Sequence, residues 1–394
     1  MNMALTSVSD ALKRVIDLCP VMDVETVPLD KAAGRVLARP MVATRNQPPF
    51  RSSAMDGYAI CVDDLHPGAR LTIIGESPAG GEFTGTVSAG ETVRIFTGGV
   101  VPEGADRVII QENVAREGDV ITLNEAPGEG MNLRPMGADF KIGDTLSAPR
   151  RLRAADVALL AAMNLPEIPV FRKPVIAVIP TGDELVMPGE TPGPTQIITS
   201  NNYAIKAQLE AQGAMVRLLP IARDNRPALR AAFKLAEGAD MVITLGGASV
   251  GDYDLIAPMA EELGLSLDFY KIAMRPGKPL IAGHISGVPM FGLPGNPVSS
   301  MVCAHVFLRP AVDKMLGLPP LDQEEQTYEL TADLPPNGPR MHYLRASVKA
   351  GKCTPADCQD SALISVMSRS NALLIRQPDA PAAKSGDMVT CILF

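Results

Sequence analysis

Along residues 173–315 the apolar positions alternate between short continuous runs and helix-period segments. Val175 to Ile179 is an unbroken apolar run, which suits a strand buried on both faces, and it ends in the polar turn Thr181-Gly182-Asp183-Glu184. Ser200 then stands where it can cap a helix running through Gln212, with Gly213 as its stop. Met215 to Leu219 reads as the next strand. Pro227 fits the first turn of a second helix that carries Leu229, Phe233 and Ala236 on one face and stops at Gly238. Met241 to Thr244 is the third strand. Strand, helix, strand, helix, strand at this pitch predicts a parallel sheet covered on both faces. Further strands fit Phe269 to Ala273, Leu280 to Ile285 and Pro289 to Phe291, followed by a helix from Pro297 to Met315.

The flanks have a different rhythm. Residues 1–45 hold an amphipathic helix, Val8 to Leu18, and a second short segment around Leu29 to Leu37. From Gln47 to about Ser147 Pro and Gly punctuate short β-rich runs, Leu71 to Ile74, Thr92 to Phe96, Arg107 to Gln111 and Val120 to Leu123, which together predict a compact all-β unit. A helix from Ala154 to Met163 follows, between Arg153 and Asn164. Beyond residue 318 strand-like runs return, at Met341 to Val348 and Ala372 to Arg376. The expected fold class is α/β plus β in a multidomain chain. A central parallel α/β domain spans residues 173–318, a β-rich insertion 47–139, a linking region 1–46 with 140–172, and a small C-terminal β domain 319–394.

Composition narrows the classes. A chain of 394 residues holds about two to four domains. With 46% hydrophobic residues but only 4% aromatics and no Trp, aliphatic side chains and the 19 methionines must do the packing. A net charge of −8 argues against nucleic acid held by a general positive field, so an anionic ligand needs a local basic site. There is no charged leader followed by an apolar stretch and no run of about 18 apolar residues, which predicts a cytoplasmic protein with no membrane partner. The six cysteines include no CxxC, which fits reduced thiols, and the four histidines make no HxxxH or HExxH pattern. Any metal should be held by carboxylates.

The candidate chemistry gathers where parallel sheets bind ligands, beyond the carboxyl ends of the strands. Polar loops sit there in succession: Thr181 to Glu184, Arg223-Asp224-Asn225, Gly246-Gly247 through Asp254, and Gly292 to Pro297. The third, "GGASVGDYD", combines glycines that allow close backbone approach with two acids. The acids make a plain phosphate cradle a poor fit, and favour a cation beside a phosphate or proton transfer; a tight polar loop is the plainer alternative. In "KIAMRPGKP" Lys271, Arg275 and Lys278 are either an exposed basic turn or the holders of an anionic ligand. Asp56 in "RSSAMDGYAI" reads, from local physics alone, as a turn residue bonding its own backbone.

The segments "SSAMDGYA", "TGGVVPEGADRVIIQE", "RPMGADF", "PTGDEL", "GGASVGDYD", "MRPGKP" and "GLPGNPVSS" make the chain resemble the molybdopterin molybdenumtransferase family, MoeA of bacteria and the C-terminal domain of gephyrin. The resemblance implies a transferase that inserts molybdate into adenylylated molybdopterin with Mg²⁺-dependent release of AMP, the last step of molybdenum cofactor biosynthesis. It implies Asp56, Asp139, Glu184, Asp224 and Asp254 as catalytic carboxylates, with Glu184, Asp224 and Asp254 as metal ligands and Asp252 the lesser candidate. Substrate contacts are implied for Thr97, Gly246, Gly247, Ser249, Lys271, Arg275, Lys278, Pro294 and Asn296. Arg345, with Arg340 as alternative, and Ser368, with Ser370 as alternative, complete the set. Relatives often carry Lys where Arg275 stands and Val where Ala248 stands. An elongated homodimer is implied, with Asp56 facing the sheet edge of the partner, and room is left for transient contact with other enzymes of cofactor assembly and with apo-molybdoenzymes. Two other readings are a related molybdopterin adenylyltransferase, which lacks the DGYA insertion and the C-terminal β domain, and a non-catalytic gephyrin-like scaffold.

Overall fold

The computed structural model describes residues 5–124, 130–246, 264–319 and 325–394; the loop residues Gly247, Ser249, Asp252 and Asp254 lie outside them. The chain forms two compact units, Met1–Glu25 with Gly34–Ala38 and Val170–Phe394, and Thr26–Ala33 with Arg39–Pro169. Residues 1–46 and 140–172, expected as a linking region, are shared between the two.

The first unit is built on a six-stranded sheet of β1 (Val175–Pro180), β2 (Met215–Leu218), β3 (Met241–Leu245), β4 (Leu265–Tyr270), β5 (Ile281–Ile285) and β6 (Val288–Leu293), in the order β2-β1-β3-β6-β5-β4. β2, β1, β3 and β6 form the expected parallel core. β5 runs against both its neighbours. The cause is local: Ser286 and Gly287, with φ of 50° and 83°, make a two-residue turn whose twin positive φ values return the chain as a hairpin. The reversal matters for function. Ile281, the first residue of β5, pairs with Gly292 near the end of β6, so residues 271–280 arrive at the carboxyl edge of the sheet.

Alternation along the strands feeds two cores. Ile176, Val178 and Ile243 pack with Ala11 and Val15 of α1 (Val8–Leu18) and Ile205 and Leu209 of α2 (Asn201–Ala211). Ala177, Ile179 and Val242 pack with Leu229, Ala232 and Phe233 of α3 (Arg226–Leu235), where Leu229 and Phe233 each contribute about 1.5–3 kcal/mol of burial. Pro227 sits in the first turn of α3 as expected, but the cap is Asn225, whose side chain accepts from the Ala228 amide. Ser200 does not cap α2 with its side chain. Its ψ of −30° already points the backbone into the helix, whereas a capping residue needs an extended ψ. The helical stretch expected from Pro297 to Met315 consists of α4 (Pro297–Cys303), a π segment Ala304–Leu308 and a further helix Arg309–Met315. Pro310 offers no amide to the ladder, and the Arg309 N–H reaches back to the Ala304 carbonyl.

Residues 325–394 close a β barrel. Met341–Lys349 pairs with Lys352–Pro355, which pairs with Glu325–Leu330, then Met388–Leu393, then Ala372–Arg376, which pairs back to Met341–Lys349. Leu330, Leu344, Cys353, Leu374 and Cys391 fill it, and the Cys391 thiol donates to Cys353 Sγ at 3.4 Å. Tyr343, Leu373 and Ile375 instead join the larger core of the α/β sheet. Met274–Arg275 pairs with the start of Met341–Lys349.

The second unit carries a six-stranded sheet in the order Arg107–Ile110, Gly57–Ile60, Glu91–Ile95, Arg70–Ser77, Val120–Leu123, Val114–Glu117. Gly57–Ile60, whose polar motif predicts a connection, is instead a fully buried strand. A Cβ on Gly57 would stand 1.9 Å from the Ile109 carbonyl oxygen, so the strands meet here only because residue 57 has no side chain. Among the described residues no helix is long and apolar enough to cross a membrane.

Candidate active site

At the carboxyl edge of the α/β sheet lies a cleft of about 590 Å³. Thr181 and Glu184 after β1, Gly246 after β3, Pro294 and Asn296 after β6, and Ser200 before α2 line it. The parallel core explains the gathering, since four strands end on one side and each hands its chain to a loop there. Gly246 has φ 95°, and a Cβ on it would lie 2.8 Å from the Thr181 carbonyl oxygen and 2.9 Å from its hydroxyl. That glycine fixes how closely two loops approach.

Three carboxylates stand beside the cleft. Asp183 Oδ1 accepts from the Asp224 amide at 3.1 Å, and the exposed Glu184 carboxylate folds over Gly182, 2.4 Å from where a Cβ would be. Burial first, then the charges of Asp183 and Glu184, push the half-buried Asp224 carboxyl above the ordinary aspartate range. Arg223 Nη1 donates to the carbonyls of Gly182, Asp183 and Leu185 at 3.3, 2.9 and 3.0 Å. Among the described residues no group of three or more His, Cys, Asp or Glu is arranged to hold a metal ion. Glu184 and Asp224 are the described members of the expected ligand set; Asp254 is outside the described residues, as are Gly247 and Ser249.

The three expected cations part company. Lys271, at φ 74°, places Nζ 5.0 Å from the Tyr270 ring centroid. Lys278 is exposed, while Pro279 beside it lines the cleft. Arg275 lines a separate hollow of about 400 Å³ at the barrel, with Asn337, His342, Asp357, Gln359 and Arg376. Burial and then the charges of Arg275, Arg345, Arg340 and Arg376 push His342 down to about 4. Arg345 is 0% exposed: Nη2 donates to the Asp360 carbonyl at 3.1 Å, and Nε and Nη1 have no partner among the described residues. Arg340 is turned to the Met274 carbonyl. Ser368 is exposed, and Ser370 donates to the Val366 carbonyl at 2.8 Å.

In the second unit Asp56 and Thr97 are brought together because Gly57 pairs with Ile95. Asp56 Oδ1 accepts from the Thr97 amide at 2.7 Å and from its hydroxyl at 2.8 Å. The amide bond first, then the hydroxyl, hold the exposed Asp56 carboxyl below the ordinary aspartate range, and the Arg94 charge adds to this. Asp56 therefore does not bond its own neighbouring backbone as a turn residue would; its partner is forty-one residues away. Asp139 is exposed, with its amide on the Gln47 carbonyl at 2.9 Å. Sequence reasoning gave no role to Asp183, Arg223, His342 or Arg376. The first two stand in the polar loops at the strand ends, but spacing carries no signal of which carbonyls a guanidinium will reach.

Three family descriptions match the chain in order: "MoeA N-terminal region (domain I and II)" over residues 6–164, "Probable molybdopterin binding domain" over 177–314, and "MoeA C-terminal region (domain IV)" over 327–394. The chain is 37% identical to a molybdopterin molybdenumtransferase of a Nostoc species, covering 80% of this chain and 75% of the relative. It is 38% identical to one of Haemophilus influenzae, covering 74% and 73%. A crystal structure of the molybdopterin biosynthesis MoeA protein from Pyrococcus horikoshii superposes with a TM-score of 0.85 at 28% identity, over 99% of this chain and 100% of that one. Sequence motifs, domain order and the whole-chain superposition thus converge, and the chain belongs to the molybdopterin molybdenumtransferase family.

Proposed function

We propose that the protein is a transferase of molybdenum cofactor biosynthesis that inserts molybdate into adenylylated molybdopterin and releases AMP in a Mg²⁺-dependent reaction. The observation that carries this reading is the edge cleft, where Gly246 leaves no room for a side chain and Asp183, Glu184 and Asp224 stand together beside it. Carboxylates that burial first and then each other's charge disfavour, as at Asp224, are a poor host for a phosphoanhydride unless a cation sits between them. Mg²⁺ suits such a place, because it takes one or two carboxylates and completes its shell with substrate phosphates and water. Glu184 and Asp224, with Asp254, would hold it, and when bound it supplies positive charge to offset that of the phosphoanhydride.

The chain's own groups have distinct tasks in this reading. The backbone at Gly246 and Gly247, with Ser249, Pro294 and Asn296, seats the pterin phosphate. A carboxylate oxygen of Asp224, whose proton affinity is raised, suits proton transfer with water at the bond that breaks. Asp56, fixed and ionised by Thr97, and Asp139 act as further carboxylates. Arg345 suits molybdate, since a buried guanidinium with two nitrogens unmatched among the described residues lacks an oxyanion more than anything else. Lys271, Lys278 and Ser368 are further anion contacts in this reading, and Arg275, which lines the separate hollow at the barrel, serves an anion there. The homodimer, the cytoplasmic location and transient contact with other cofactor-assembly enzymes and apo-molybdoenzymes go with this reading.

The test is to incubate the purified protein with adenylylated molybdopterin, molybdate and Mg²⁺, following AMP by chromatography and active cofactor by reconstitution of an apo-molybdoenzyme. AMP release and reconstitution that both require Mg²⁺ are expected. Adenylyl transfer from ATP to molybdopterin without AMP release would move the chain to the adenylyltransferase reading, and tight binding without turnover to the scaffold reading.

A further inference from the structure

We infer that Arg223 is a positioning residue for divalent-cation binding, one that acts by fixing the loop carrying Glu184 rather than through its charge. The inference rests on the proposed role of Glu184 and Asp224 as cation ligands. Three observations carry it. One nitrogen, Nη1, serves the carbonyls of Gly182, Asp183 and Leu185, so a single group spans the residues on both sides of Glu184. The same loop is tied to the second loop by the Asp224 amide on Asp183 Oδ1 and by the Gly182 amide on the Ala222 carbonyl at 3.1 Å. Finally, Gly182 has φ 146° and Glu184 folds back over it; the β1–β2 pairing ends at the isolated Thr181–Ala222 bridge, and the ladder that follows, Leu185–Val186 with Ile197–Ile198 and the Ile197 amide on the Glu184 carbonyl, ties this loop to residues 197–198 rather than to the Asp224 loop. Past that bridge Arg223 supplies most of the cross-loop hydrogen bonds, and it does so with the residue directly before Asp224. The two carboxylates are thus set relative to each other by the side chain that separates their loops.

The charge and the geometry of Arg223 make opposite predictions. Removing a cation beside three carboxylates strengthens the pull on a divalent ion, so by Coulomb's law alone Arg223→Gln binds Mn²⁺ more tightly. Removing the tie that orients the ligands weakens binding, by about ten- to a hundredfold for outer-shell partners of a metal site. The experiment measures Mn²⁺ dissociation constants by electron paramagnetic resonance on the substrate-free protein, for the parent, Arg223→Gln, Arg223→Lys and the pair Glu184→Gln with Asp224→Asn, each shown folded by circular dichroism. Arg223→Gln is expected to weaken Mn²⁺ binding about ten- to a hundredfold. Arg223→Lys, whose single ammonium can still reach two or three carbonyls, is expected to recover most of the loss. Tighter or unchanged binding in Arg223→Gln overturns the inference while leaving the cation reading intact. If the carboxylate pair variant binds Mn²⁺ as the parent does, the cation reading itself fails and the inference falls with it. Should Arg223→Gln not fold, Arg223→Met, which also lacks the charge and the donors, decides: weaker Mn²⁺ binding upholds the tie, whereas tighter or unchanged binding overturns it.

Discussion

Asp56 and Asp224 are the same side chain under opposite physics. Asp56 is exposed, accepts two hydrogen bonds from Thr97 and is held below its ordinary range. Asp224 accepts one backbone hydrogen bond from Asp183, yet burial first and then the charges of Asp183 and Glu184 push it above that range. A carboxylate satisfied by fixed donors is already in its working state and needs nothing from solution. One crowded by like charges is under tension that a proton or a cation relieves. The first is a group the fold has completed, and the second is a group the fold has left for a ligand to complete.

Asp224→Asn is expected to lower AMP release about 10²- to 10³-fold, the size expected when a group aimed at developing charge is lost, and to leave the melting temperature unchanged or raised. Asp56→Asn keeps the geometry that accepts from Thr97 but loses the charge, so it too should lose most AMP release while staying folded. Full turnover in Asp56→Asn would reduce Asp56 to an architectural residue.

Stability against pH sharpens the contrast, because the signs differ. The Asp224 pKa in the folded state lies above its ordinary value of 3.8, so its contribution is full below 3.8 and is lost as pH rises through the raised value. Asp224→Asn should therefore gain on the parent across that rise. The Asp56 pKa in the folded state lies below 3.8, so its contribution is present above 3.8 and disappears as pH falls through the lowered value; Asp56→Asn should lag behind the parent above 3.8 and match it in stronger acid. Urea midpoints from acid to neutral pH in chelator would show it, and slopes of the same sign for both variants would contradict it.

The smallest effect lies inside the Asp56 pair. Thr97→Val removes the hydroxyl donor but keeps the amide, which is the larger cause of the shift. Carbon-13 titration of Asp56 should move its midpoint only part of the way up towards the ordinary value; no movement would mean that the hydroxyl bond contributes nothing.

Much of the architecture was legible because it is written in local periodicity. Val8–Leu18 forms as its pattern predicts, and the alternation of Ile176, Ala177, Val178 and Ile179 between two cores follows from strand geometry. What stayed hidden depends on neighbours distant in sequence. The Gly57–Ile60 strand is only four residues long and begins in a polar motif, and its burial comes from the strands Arg107–Ile110 and Glu91–Ile95 on either side. Lys271, Arg275 and Lys278 are close in sequence, yet Arg275 pairs with His342 in the barrel register and so parts from the others. The loops of the site were readable from Gly, Asp and Glu in succession. The tie made by Arg223 was not, since it is set by three backbone carbonyls that no sequence pattern marks.

The closed barrel has a consequence for how this part of the chain opens. Met388–Leu393 is bonded to Glu325–Leu330 on one side and to Ala372–Arg376 on the other, so it acts as a keystone. Lifting it bares two strand edges together and leaves Cys391 and Val389 without their neighbours in the barrel interior. Amide protons along all three strands should then exchange with solvent at one common rate, as a single opening event, rather than fraying one strand at a time.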